Sequence, residues 1–275
     1  MSTDSNQGQL DWGRLFGPGS HRFQMGLRPG NVGSFFAAKQ AGLLAERRHW
    51  LQSDRPRYCQ IEAEGEPLLD ELETMAQEWA LASAGRGLSA LDRLADLGAR
   101  LEPDFLLLSR ADPGPVRLAG GVVCFPSSWS LEEKMGRPVG EIHGVVPGLN
   151  AQLGAQVDRF LERLAPGTAW ERENWGLSPD SELNRHPARR LPCLGSGTTL
   201  QTTWLRVEHQ LLHRMRQTRG VLFGIRLSVH RLDQLARDAA VADGLARALE
   251  TMAPEVATYK GLSQCREQLA QLLRA

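Results

Sequence analysis

Apolar and other positions alternate with period two from Val221 to Val229. Val221, Phe223, Ile225, Leu227 and Val229 take one side, and Leu222, Gly224, Arg226 and Ser228 the other. That pattern predicts a strand with one buried face. Two more apolar runs, 105–110 and 116–125, are separated by Ala-Asp-Pro-Gly-Pro, whose prolines and glycine stop pairing and predict a β-hairpin. Residues 168–175 read as a further strand. Elsewhere the period is helical: near 35–48, over 68–82, where Leu68, Leu69, Leu72, Met75, Ala76 and Trp79 recur, over 89–100, and over 149–164, where Leu153, Val157, Phe160, Leu161 and Leu164 share a side. Ser130 and Glu133 have capping-box spacing and predict a short helix over 131–136. Residues 203–218 read as the most regular helix, with Trp204, Val207, Leu211, Leu212 and Met215 in one stripe and Arg206, His209, Gln210 and His213 in another. Helices over 232–249, with a break, and 263–273 finish the chain.

Several helices around about three to five short strands, without strict β-α-β alternation, predict an α+β fold with a mainly antiparallel sheet. Residues 16–33, rich in Gly and Pro, read as an extended arm laid over the body. No linker divides the remainder. The reading is a single domain over 23–229, a loose tail over 1–22 and a helical C-terminal extension over 230–275 packed on the same domain.

Charge narrows the function classes. The 32 basic and 32 acidic residues cancel, which argues against the basic field required by nucleic acid or an anionic membrane. Lys39, Lys134 and Lys260 are the only lysines; every other cation is arginine, a skew that a GC-rich genome explains as well as function does. Cys59, Cys124, Cys193 and Cys265 are too scattered for a metal knuckle or a dense disulfide frame, which fits a reducing compartment. With no signal-peptide pattern and no bilayer-length apolar stretch, the expectation is a soluble, cytoplasmic protein.

Motifs for nucleotide phosphates and for a serine nucleophile are missing, since Gly195-Ser196-Gly197 has neither a third glycine nor a Lys-Ser/Thr ending. His209 and His213, four apart on the predicted helix, are spaced to share a metal. Gln210 stands where a zinc hydrolase carries its glutamate, however, and Arg206 and Arg214 make a solvated basic face the better reading. Glu208 falls within the apolar stripe of that helix. A buried carboxylate must be paired, protonated or working, and Arg172 and Arg226 are its candidate partners. His143, in Glu-Ile-His-Gly-Val-Val-Pro-Gly, is either a hydrogen-bonded core histidine or a ligand for haem iron, and composition does not choose.

Two segments, FPSSWSLEEKMGRPVGEIHGVVPG (125–148) and LRVEHQLLHRMRQTRGVLFGIR (205–226), resemble the haem-dependent oxidative N-demethylases, formerly a domain family of unknown function. Shorter matches at Met25-Gly26-Leu27, Asp104-Phe105-Leu106-Leu107-Leu108 and Arg172-Glu173-Asn174-Trp175 keep the same order and spacing. The resemblance implies a PAS-like core holding haem b. It also implies an oxygenase that uses dioxygen to remove a methyl group from a small secondary amine such as dimethylamine, releasing formaldehyde. Electrons would come from NADPH through separate flavin and iron–sulfur subunits. Carried onto this chain, it makes His143 the axial iron ligand and Glu208, Arg206 and Gln210 the catalytic group, with Arg172, Asn174 and Arg226 against the cofactor. The chain departs from the family pattern at Val145 and Leu149, where the family has Pro and Tyr, at His209, where it has a second Arg, and at Leu101-Glu102-Pro103-Asp104, where its run is more acidic. These departures imply a substrate other than dimethylamine, or a haem-binding PAS-like sensor or carrier without turnover.

Overall fold

The computed structural model describes residues 10–37, 40–79, 87–110 and 114–275. Seven strands form one sheet: β1 (Arg28–Pro29), β2 (Cys59–Ile61), β3 (Asp104–Arg110), β4 (Val116–Val122), β5 (Ala169–Ser178), β6 (Trp204–Arg214) and β7 (Val221–Arg231). Their order is β1-β5-β6-β7-β3-β4-β2, and every pairing is antiparallel. With helices packed around this sheet the fold is α+β, as the element pattern predicts. The β3–β4 hairpin, β5 and β7 lie where sequence periodicity puts them, although 111–113 of the predicted hairpin turn fall outside the described residues.

Residues 203–218 are not a helix. They form β6 and the turn into β7, with Trp204 opposite Arg231 and Arg214 opposite Val221. The strand is central and covered on both faces, so Leu205, Arg206, Val207, Gln210 and Leu211 are all buried and period-two alternation disappears. Its apolar positions then match a helical stripe by coincidence. The helix over 131–136 is also absent: the chain makes a single turn there, with the Lys134 and Met135 amides donating to the Leu131 carbonyl, and Ser130 Oγ is buried without a partner instead of capping. The helix near 35–48 divides into Val32–Phe36 and Ala41–Ser53, with 38–39 outside the described residues.

Side chains directly opposite one another in an antiparallel ladder share a face. One face carries Glu173, His209 and Arg226 in register, and the other carries Arg172 with Gln210 and Asn174 with Glu208. The first face is roofed by helices Val32–Phe36, Ala41–Ser53, Glu66–Glu78 and Ala90–Gly98, whose core joins Phe36, Leu69, Phe105, Leu107, Leu211 and Leu222. Gly224 makes this approach possible, because a Cβ there would sit 2.7 Å from the Phe35 ring and 2.9 Å from that of Phe36. Farther along, Trp175, Leu205 and Val207 pack with Phe16 and the C-terminal helices Ala239–Thr251, Pro254–Tyr259 and Arg266–Arg274. On the second face, Leu161 and Phe160 of helix Ala155–Arg163 cover Leu106, Leu108, Trp170 and Phe223. Among the described residues no helix is long and apolar enough to cross a membrane.

Glu71, on helix Glu66–Glu78, anchors the β6–β7 turn. Its carboxylate accepts the amides of Arg216 (2.6 Å), Gln217 (2.9 Å) and Thr218 (2.8 Å) and the Thr218 hydroxyl (2.7 Å). Burial works to raise its pKa, but these donors outweigh burial and leave it below the ordinary value of 4.5. The carboxylate therefore adds stability above that value, and the contribution is lost as pH falls through the lower folded value. Glu71→Ala is expected to destabilise the protein by about 2 kcal/mol at pH 7, and the gap in urea midpoint should narrow in acid. Equal midpoints at pH 7 would refute this anchoring.

Candidate functional site

Two neighbouring strands, β5 and β6, aim a polar group from the second face. Glu208 is half-buried, and its Oε2 accepts from Asn174 Nδ2 at 3.3 Å and Gln210 Nε2 at 2.9 Å. Arg206, Glu208 and Gln210 share this face because they lie two apart on a strand. Arg206 is buried, with Nη1 donating to Glu182 O (2.5 Å), Nη2 to Leu183 O (2.9 Å), and Nε and Nη2 each 3.4 Å from Ser127 Oγ. Burial among neutral acceptors lowers its pKa to about 10, against the pull of Glu208. Arg206 thus ties the segment leading toward His143 to the strand bearing Glu208.

Arg172 enters from β5. Its Nη2 donates to Gln24 O of the arm at 3.3 Å, while its Nε is buried with no partner. Burial depresses its pKa, and the carboxylates of Glu208 and Glu173 oppose the effect. His143 stands in the last turn of the short helix Val139–Gly144 and is half-buried. Its pKa is lowered by burial and then by Arg172, with Asp158 opposing, so the ring is neutral near pH 7. Among the described residues the His143 ring has no hydrogen-bond partner, and Val145 beside it is 52% exposed.

Arg226 does not join this group. It lies opposite His209 and so projects from the first face, where it pairs with buried Glu102, donates to Phe35 O and Ala37 O, and sits over the Phe35 ring. Its pairing with Glu208 is corrected by strand register, which puts the two on opposite faces of the sheet. His209 also points to that face, with Nε2 3.1 Å from Ser228 Oγ. Four strand residues separate it from His213 by about 13 Å of backbone, too far to share a metal. Among the described residues no group of three His, Cys, Asp or Glu side chains could hold an ion.

Two further side chains, at the end of helix Pro254–Tyr259, feel the charge of Glu208. Glu208 is among the charges acting on Tyr259, whose pKa is raised mainly by burial, and on Lys260, whose pKa burial lowers to about 8. Neither has a period or motif that marks it in sequence; the only hint is that Lys260 is one of three lysines. A cleft of about 500 Å³ opens beside them, between arm residues 14–26, strand residues Arg172 to Trp175, and Lys260.

A family model described as haem-dependent oxidative N-demethylase, alpha subunit-like, matches residues 35–270. The chain belongs to this family. The family is haem-dependent by description, and its name assigns it to the oxidative removal of methyl groups from nitrogen. The N-demethylase alpha-subunit-like match runs through β6, β7 and helices Ala239–Thr251 and Pro254–Tyr259 into helix Arg266–Arg274. The donor set suits haem. A neutral imidazole with no competing partner is a good iron ligand, the buried unpartnered Arg172 Nε awaits an acceptor, and exposed Val145 offers apolar surface to a flat macrocycle.

Proposed function

We propose that this chain is the haem-binding subunit of an oxygenase that N-demethylates a small secondary amine and releases formaldehyde, with electrons delivered from NADPH through separate flavin and iron–sulfur subunits. The observation that carries this reading is the placement of Glu208, held by Asn174 and Gln210, on the sheet face that also bears Arg172, whose charge acts on the neutral His143. His143 would ligate the iron of haem b, and Arg172 and Asn174 would lie against the cofactor. When bound, haem supplies dioxygen reduction and oxidation of the methyl carbon. Glu208 holds the ammonium form of the amine through a charge-assisted hydrogen bond. Asn174 and Gln210 fix the carboxylate's rotamer, which sets where the methyl group points. All four cysteines are unpaired, which supports a reducing cytoplasm.

The test is an absorption spectrum of the haem-reconstituted chain, oxidised and then reduced under carbon monoxide. A Soret band is expected, and its absence would overturn the haem reading. His143→Ala should weaken haem retention by about tenfold or more and shift the ligand-field bands; an unchanged spectrum would transfer the iron to another residue. Haem retained by the wild-type chain without formaldehyde from any amine, given a competent reductase, would leave a carrier or sensor.

A further inference from the structure

β1 pairs with Trp170 and Glu171, and among the described residues no strand pairs with the outer edge of β5 from Arg172 onward. Lys260 occupies part of that edge. Its Nζ donates to Trp175 O at 2.7 Å and lies 5.3 Å from the centre of the Trp175 ring. An ammonium has three N–H donors, and the carbonyl takes one. Arg172, on the other side of the same cleft, spends Nη2 on Gln24 O and leaves Nε buried and unpartnered.

The charges around this cleft do not balance. Glu173 lines the cleft too and acts on Arg172 from a distance, but its carboxylate is taken by Arg28 at 2.5 Å. Glu208 acts at a distance on Arg172, Arg206 and Lys260 together. Among the described residues neither Arg172 nor Lys260 has a carboxylate within ion-pair distance, unlike Arg28, Arg47 or Arg226. His21, also lining the cleft, is kept neutral by burial and by Lys260, so it adds no compensating demand. Two half-buried cations lining one cavity, neither in a direct ion pair, suit an anion with two oxygens to share.

We propose that the cleft between the N-terminal arm and the free edge of β5 is a carboxylate site, with Lys260 and Arg172 as its two cationic contacts. Two ligands carry such a group. One is an N-methylated amino acid, with its carboxylate here and its ammonium at Glu208; this version rests on the proposed demethylation. The other is haem itself, through a propionate. In either case Lys260 binds ligand and is more than a cap on the Trp175 carbonyl.

Calorimetric titration of the haem-free full-length chain with N-methylglycine, acetate and dimethylamine tests the site without relying on haem. N-methylglycine and acetate are expected to bind, and Lys260→Met to weaken both by about tenfold or more, while Lys260→Arg restores binding. Absence of carboxylate binding to the wild type, or equal binding by Lys260→Met, would overturn the proposal. Repeating the titration on protein loaded with haem and with haem dimethyl ester separates the sources. Binding retained with haem assigns the site to a free acid, and binding lost with haem but kept with the ester assigns it to a propionate. Failure to take up haem at all would defeat the oxygenase reading and leave the haem-free titration intact.

Discussion

Asp104→Ala is expected to lower the unfolding free energy by about 3–5 kcal/mol, the largest stability loss predicted for this chain. Asp104 opens β3 and is 3% exposed. One carboxylate oxygen is 2.5 Å from Nη1 of fully buried Arg47 and accepts the Cys124 amide at 2.8 Å, while the other accepts the Phe125 amide at 2.9 Å. Burial works to raise this carboxyl, and Arg47 with the two amides works against it. Arg47 also donates to Gly98 O at 3.0 Å and sits over the Phe125 ring, so one ion pair joins helix Ala41–Ser53, helix Ala90–Gly98, β3 and the exit of β4. Removing the carboxylate strands a buried guanidinium and two amides at once. Replacing both partners, as Arg47→Met with Asp104→Leu, removes the stranded charge and should be milder than the single substitution. Urea unfolding of the two variants decides it: a loss below about 1 kcal/mol for Asp104→Ala, or a double variant no better than the single one, would mean the pair is idle. The segment leaving Phe125 carries Ser127, which touches Arg206, and then His143, so loosening Asp104 should also disorder the candidate site.

Neither this ion pair nor the Glu102–Arg226 pair has a sequence signature. Both carboxylates sit in Leu101-Glu102-Pro103-Asp104, between the predicted helix over 89–100 and the apolar run from 105, where no period marks them, because burial of an acid depends on a partner brought by a distant element. Elements whose environment differs between their two sides were legible: β7, with its alternating face, the β3–β4 hairpin, and helix Ala90–Gly98 with Ser89 accepting from the Asp92 amide. β6 was not, because a central strand covered on both faces has no alternation to display and its buried Arg206, Gln210, His213 and Arg214 read as a polar helix face. The element type decides which side chains share the site. On a helix, Glu208 belongs with Val207 and Leu211; on a strand it belongs with Arg206 and Gln210, the grouping that the family resemblance supplied without any period. The same register sends Arg226 to the far face. Tyr259 and Lys260 escaped because nothing local connects residues in the C-terminal helices with β6; only the packing of those helices against Trp175 and Val207 does.

Glu208→Gln is expected to leave the fold and haem retention unchanged and to reduce amine turnover by about 100-fold. The amide is nearly isosteric, and its carbonyl oxygen can still accept from Gln210 or Asn174, so the hydrogen-bonded rotamer survives. What is lost is the negative charge. With the charges of Arg172, Arg206 and Lys260 acting on it, the site then turns more positive and repels a substrate ammonium that Glu208 formerly held. The loss should appear mainly in kcat/KM, since the interaction removed is made on binding as well as during oxidation. Formaldehyde release from dimethylamine and N-methylglycine, measured beside the Soret spectrum of the same preparation, separates this from a structural role. Equal turnover by the wild type and Glu208→Gln, both with intact haem spectra, would return Glu208 to the part of a carboxylate that only balances the arginines of its sheet face.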